Sequence, residues 1–154
     1  MTTDPSVSKA IYTAYLEGSL KLSKTGEWWH EGRPFANLRL AELFHHSIVW
    51  AEVEKRYFVQ IGQQRASFDC EDTAYFVLQV DETATPWQLS VSDGSTEQLD
   101  PKSLSLGLED QIYCTIKGFH RARLSRSAHQ QILTHVVSEN QLSIGGQTII
   151  MVRV

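Results

Sequence analysis

The sequence predicts an α+β fold. Three stretches repeat apolar residues at helical spacing, the short runs between them alternate in the manner of strands, and most runs end in a turn bearing glycine or proline. Asp4-Pro5 is a cap followed by a proline suited to the first helical turn. Val7, Ala10, Ile11, Ala14 and Tyr15 then mark a helix over 5–17, and Gly18 ends it. Residues 20–23 and 27–30 form a hairpin closed by Lys24-Thr25-Gly26. Gly32 and Pro34 break the second strand, and Asn37 is placed to cap a helix over 38–50 with Leu40, Leu43, Phe44, Ser47 and Ile48 on one face. Residues 56–61 and 65–70 give a second hairpin. Strands follow at 75–80 and 87–92, separated by a turn at 83–86 and followed by the Asp93-Gly94 turn. Residues 97–110, with Pro101 and Gly107, read as irregular. Strands at 111–117 and 120–124 flank Gly118. Ser125 caps a helix over 126–138 with Ile132, Leu133, Val136 and Val137 inward, and residues 141–144 and 147–153 close the chain as a hairpin about Gly145-Gly146.

Residues 20–70 therefore run strand, strand, helix, strand, strand, and so do residues 111–153. The match predicts a duplicated α+β unit, with the N-terminal helix and first unit in 1–74 and the second unit in 75–154. Coincidence is the competing account, because hairpin-helix-hairpin is a common arrangement. The expected core includes Ile11, Trp28 or Trp29, Leu43, Phe44, Phe58, Phe68, Tyr113, Ile132, Val136 and Ile150. Alternation alone does not say which tryptophan points inward.

The chain has 154 residues, 42% hydrophobic and 21% charged, which suits one globular domain or two small ones sharing a core. A net charge of -4 argues against a general nucleic-acid or anionic-membrane binder, and neither half is polarised: residues 1–77 hold 8 basic and 10 acidic side chains, residues 78–154 hold 6 and 8. Two distant cysteines, Cys70 and Cys114, make neither a disulfide framework nor a metal spacing. With no signal-peptide pattern and no apolar run near the roughly 20 residues of a spanning helix, the expected location is the cytoplasm.

Three places carry candidate chemistry. Trp28 and His30 share one face of a strand beside a turn bearing Arg33, which suits either a ligand-binding corner or an aromatic anchor whose histidine satisfies the backbone. Lys117, His120, Arg121, Arg123 and Arg126 fall within ten residues without an acid, which suits a phosphate or carboxylate, or the solvated face of a sheet. Asp69, Glu71 and Asp72 form an acidic cluster that fits no calcium loop. The pairs His45/His46 and His129/His135 have no zinc spacing and default to solvent-facing or edge positions. No serine or cysteine sits in a nucleophile motif, and no glycine-rich phosphate loop is present.

Gly26-x-Trp28-x-His30-x-Gly32-x-Pro34, Leu43-Phe44, Tyr57, Glu71-Asp72 and Gly118-x-x-x-Ala122-x-Leu124-x-Arg126 resemble a bacterial family of uncharacterised proteins, domain of unknown function 1285. The resemblance implies a duplicated protein whose C-terminal half is like a pleckstrin-homology fold. It also implies a nucleotide-like ligand between the halves and a role in signal transduction. On that reading Trp28 stacks on the ligand, Arg33, Arg123 and Arg126 hold its charge, and His30 or Glu71 reads a polar edge. The expectation is thus a non-catalytic sensing module with no cofactor, the alternative being a protein-interaction module. An enzyme using His30 as base ranks below both, and a homodimer is the default assembly.

Overall fold

Helix α1 (Lys9–Leu16) starts at Ser8, whose hydroxyl accepts the Ile11 N–H at 3.3 Å. The computed structural model describes residues 7–154, so the expected Asp4-Pro5 start lies outside them. Tyr12 and Leu16, one turn apart, form the buried stripe; Ile11, expected in the core, is 43% exposed because that stripe is rotated one residue from the predicted one. The chain leaves the helix through Gly18 at φ 89°, where a Cβ would meet the Glu31 carboxylate.

This helix belongs to the first of two compact units, which ends at Ala74; the second is Tyr75–Val154. In the first unit β1 (Leu20–Leu22), β2 (Trp28–His30) and β3 (Arg33–Pro34) form an antiparallel set. The register places Leu22 opposite Trp28, and both are buried, which decides the tryptophan pair: Trp28 is inward, and the Lys21 ammonium lies 5.2 Å from the Trp29 ring centre. Helix α2 (Leu38–His46) is capped by Asn37, whose Oδ1 accepts the Arg39 and Leu40 N–H groups.

The predicted helix over 38–50 stops early. Ser47 closes its last turn through its N–H to the Phe44 carbonyl and its hydroxyl to the Leu43 carbonyl, and the chain becomes β4 (Ile48–Ala51). Ile48 and Val49 are β-branched, and they find partners in Val59 and Phe58 of β5 (Arg56–Ile61), so pairing overrides the helical spacing. β6 (Gln64–Ser67) completes the meander β4-β5-β6. The strand expected over 65–70 breaks at the buried Phe68, and β7 (Asp69–Cys70) pairs parallel with β1 instead. Phe58, expected in the core, lies on the opposite face from the buried Val59 and is half-buried, with the Arg65 guanidinium 3.7 Å from its ring centre.

In the second unit β8 (Tyr75–Asp81), β9 (Gln88–Val91), β10 (Thr96–Gln98), β11 (Ser105–Leu106), β12 (Ile112–Ile116) and β13 (His120–Leu124) precede helix α3 (Arg126–Leu133). After α3 come β14 (Val136–Ser138), β15 (Gln141–Ile144), β16 (Gln147–Ile150) and β17 (Val152–Arg153). One sheet has the order β10-β9-β8-β13-β12-β11-β17, and the other is the meander β14-β15-β16. Three expectations fail here. Residues 97–110 are not irregular throughout: they contain most of β10, a 3-10 turn at Pro101–Ser103 and β11. Helix α3 ends at Leu133, not 138, because the β-branched Val136 and Val137 join β14. The last strand splits at Met151, so Val152 and Arg153 pair parallel with β11, and Ile150 is 59% exposed. Val136 is only half-buried, whereas Leu43, Phe44, Phe68, Tyr113 and Ile132 are buried as expected.

Both units contain a hairpin, β1-β2 or β12-β13, followed later by a helix, a three-stranded antiparallel meander and a two-residue strand; β7 returns parallel to the hairpin strand β1, whereas β17 returns parallel to β11, which precedes the second hairpin. No helix among the described residues is long and apolar enough to cross a membrane.

His45 gives the first unit an acid dependence. Its Nε2 donates to the Gly26 carbonyl at 3.1 Å, and its Nδ1 is buried without a partner. Burial pulls its pKa below the ordinary 6.5 against the Gly26 bond that raises it, with the neighbouring His46 adding a smaller downward push. The unfolded chain takes the proton near 6.5 while the folded unit resists it. Stability should therefore fall as pH drops below about 6.5 until the lower folded pKa is reached. Melting midpoints from pH 7.5 to 5 should show that decline, and His45→Gln should flatten it; an equal slope in the variant would refute the assignment.

Candidate functional site

The residues that the sequence singled out fall in both units, Trp28, His30, Arg33 and Glu71 in the first and Arg123 and Arg126 in the second. Trp28 is 1% exposed. Its ring meets Phe68 at 4.9 Å, Phe44 and His45 at 5.7 Å and Phe35 at 6.2 Å between centroids, so it anchors a core and is not an open stacking platform. His30 donates through Nε2 to the Glu17 carbonyl at 2.7 Å and packs 4.8 Å from Tyr15, tying the end of α1 to β2. Arg33 is exposed on β3. Glu71 is a clamp: one carboxylate oxygen accepts the Lys24 N–H at 3.0 Å, and the other lies 3.3 Å from the Lys21 ammonium. The Lys24 N–H first, and Lys21 second, hold its carboxyl below the usual range. Of the candidate groups in this unit, Glu71 pins the hairpin to the end of β7.

The second unit brings candidates together. Along β13, His120, Ala122 and Leu124 are buried, so Arg121 and Arg123 face outward. The Arg121 guanidinium covers the Tyr113 ring at 4.8 Å. Arg123 lines a cleft of about 350 Å³ with Arg126, the first residue of α3, and with Asp110 and His129. A larger compartment of about 750 Å³ shares Asp110, His129 and Leu133 with it and is further lined by Leu106, Met151, Glu139, Asn140 and Arg153.

Local chemistry holds these walls. The Ser125 side chain accepts the Ala128 N–H at the start of α3 and donates to the Leu78 carbonyl, while its N–H donates to Val77. The Gln131 amide binds both backbone groups of Val80, at 2.6 and 3.3 Å, so the helix is fixed against β8 at both ends. Opposite it, Gly107 closes on Gln111 through N–H to carbonyl at 2.8 Å, and any Cβ on Gly107 would strike the Gln111 side chain. Arg153 comes from the far end of the chain. Its guanidinium donates to the Gly107 carbonyl at 2.7 Å and to the Asp110 carboxylate at 2.8 Å.

His129 was not among the residues the sequence selected. Burial, and then the nearby Arg123, lower its pKa from 6.5 against the opposing pull of Asp110, so it is mainly neutral at pH 7 and offers one donor and one acceptor. Its place one helical turn after Arg126 was visible as an i, i+3 spacing, but Asp110 and Arg153 carried no such signal. Among the described residues, no group of three or more His, Cys, Asp or Glu side chains is arranged to hold a metal ion. Burial raises the Cys70 thiol to about 11 and the Cys114 thiol to about 12, so neither is a ready nucleophile.

No family model matches the chain, and no curated protein does. Two solved structures share its fold. One is a DUF1285 family protein from Shewanella baltica OS155, at TM-score 0.58 and 16% identity over 77% of this chain and 93% of that one. The other is a DUF1285 family protein from Silicibacter pomeroyi DSS-3, at TM-score 0.63 and 10% identity over 88% of this chain and 81% of that one. The chain thus has a DUF1285-like fold.

Proposed function

We propose that this chain is a non-catalytic sensing module that holds a nucleotide-like anionic small molecule in the cleft of its second unit. The observation that carries the reading is the meeting of Arg123, Arg126 and His129 on one cleft. Guanidinium groups present planar forks of donors that match phosphate and carboxylate oxygens, and a neutral imidazole can add a donor. The raised thiol pKa values and the absence of a nucleophile motif favour binding over catalysis. The reading includes a role in signal transduction, with a partner protein reading the occupied state. The repeated hairpin, helix and meander are read as duplication of one ancestral unit.

A thermal-shift series with inorganic phosphate and nucleotides tests the reading. A ligand at 100 times its dissociation constant stabilises by about 2.7 kcal/mol, enough to raise the melting midpoint by several degrees. Arg126→Ala removes an exposed side chain and should leave the unliganded midpoint within about a degree, since such surface changes alter stability by roughly 0.5 kcal/mol or less. The ligand-induced shift should be lost in that variant. A shift that survives in Arg126→Ala would place the anion elsewhere. No shift with any anion would favour the protein-interaction module.

A further inference from the structure

We infer that the cleft takes a phosphorylated polyol, a sugar phosphate bound through its phosphate at one end and its hydroxyls at the other. This rests on the anion-site reading above and extends it into the adjoining compartment.

The two compartments share Asp110, His129 and Leu133, so one ligand can lie in both. Their polar groups differ. The smaller compartment holds two guanidinium groups, Arg123 and Arg126, beside the exposed carboxylates of Glu109 and Asp110. The larger offers Glu139, Asn140 and Asp110 as acceptors, and its one guanidinium, Arg153, is already held by the Gly107 carbonyl and Asp110. Asp110 already gives one oxygen to Arg153 at 2.8 Å, which balances its charge and leaves the other oxygen to accept from a hydroxyl. The Asn140 amide nitrogen donates to the Met151 carbonyl at 2.9 Å, which leaves its side-chain oxygen as the acceptor of that amide. A ligand that meets both ends carries an anion for the two guanidinium groups and, beyond it, a set of O–H donors.

Two other ligand shapes fit less well. An acyl chain on an anionic head would press hydrocarbon against Glu139, Asn140 and Asp110 and strip them of water without returning a hydrogen bond. A nucleobase would find no stacking surface, since no Phe, Tyr or Trp lines either compartment. In a nucleotide, the ribose phosphate is the portion the cleft would hold. Leu106 and Met151 give the sugar ring an apolar floor for its C–H face.

Calorimetric titration of the full chain with inorganic phosphate, ribose 5-phosphate, 2-deoxyribose 5-phosphate and adenosine monophosphate tests this. Ribose 5-phosphate should bind at least about tenfold more tightly than phosphate, the worth of one or two hydrogen bonds to charged groups. The deoxy sugar should lose several-fold of that advantage, and adenosine monophosphate should gain less than about threefold over ribose 5-phosphate, since the base meets no ring. In Glu139→Ala the ratio of sugar-phosphate to phosphate affinity should fall, and because the ratio is taken within one variant, any general weakening cancels. Phosphate binding lost in Arg126→Ala, with ribose 5-phosphate no tighter than phosphate, would overturn the inference and leave the anion site standing. Adenosine monophosphate tighter than ribose 5-phosphate by tenfold or more would also overturn it. No binding by any of the four would overturn both.

Discussion

Trp28→Ala is expected to destabilise the first unit by about 3–5 kcal/mol, the usual loss for truncating a large buried aromatic. The ring is 1% exposed and meets four other rings, so removing it opens a cavity that β2, α2 and the Phe68 segment would have to collapse to fill. Its indole N–H is buried without a partner, a state that costs about 1–3 kcal/mol and is already charged against the native unit. Trp28→Phe, which keeps most of the apolar area and removes that orphaned donor, should therefore cost only about 1 kcal/mol. Urea unfolding followed by far-ultraviolet circular dichroism measures both. A loss below about 1 kcal/mol for the alanine variant would show that the ring is not the anchor described here.

Lys117→Met should destabilise the second unit by about 2 kcal/mol and weaken its acid sensitivity. The Lys117 ammonium lies 3.0 Å from Asp93, 3.8 Å from Glu97 and 3.1 Å from the Ser95 hydroxyl, and 5.6 Å from the Tyr75 ring centre. The side chains of Asp93 and Lys117 are 15% and 27% exposed, so removing the cation leaves a largely buried carboxylate uncompensated. Such breaks cost about 3–5 kcal/mol when fully buried and less with this residual solvent access. The sign of the pH effect follows from Asp93. Burial pushes its carboxyl up, but the Ser95 hydroxyl and N–H and the Lys117 ammonium outweigh it and hold the group below its usual 3.8. A carboxyl depressed in the folded state contributes stability above its unfolded pKa and loses it as pH falls through the folded value. As pH falls below about 4, melting midpoints of the wild type should drop more steeply than those of Lys117→Met, because Met removes part of the depression. Parallel curves would mean that Ser95 alone sets the shift.

The sequence legibly marked starts and turns, because those depend on a few neighbouring atoms. Asn37 and Ser125 cap helices as expected, and Gly26, Gly118 and Gly145-Gly146 stand at their turns with positive φ. Helix ends were overrun twice for one reason. Ile48 and Val136 continue a helical spacing, yet each is β-branched and meets a partner strand downstream. The candidate site was half legible. A basic stretch without acids pointed to Arg123 and Arg126, and β13 with α3 delivers them to one cleft. The Trp28/His30 corner had two readings, and the register with Leu22 decides for packing.

By itself, then, the sequence determined the α+β character, the position of nearly every turn and the basic stretch, all of which are encoded within a few residues of where they act. The tertiary structure decided which tryptophan is buried, where two helices stop, and that Asp110 and His129 meet Arg153 beside the arginines. Those outcomes depend on strands returning from distant parts of the chain: β7 to β1, and β17 to β11. Hydrogen bonding across 43 residues, as between Arg153 and Asp110, leaves no local period in the sequence to find.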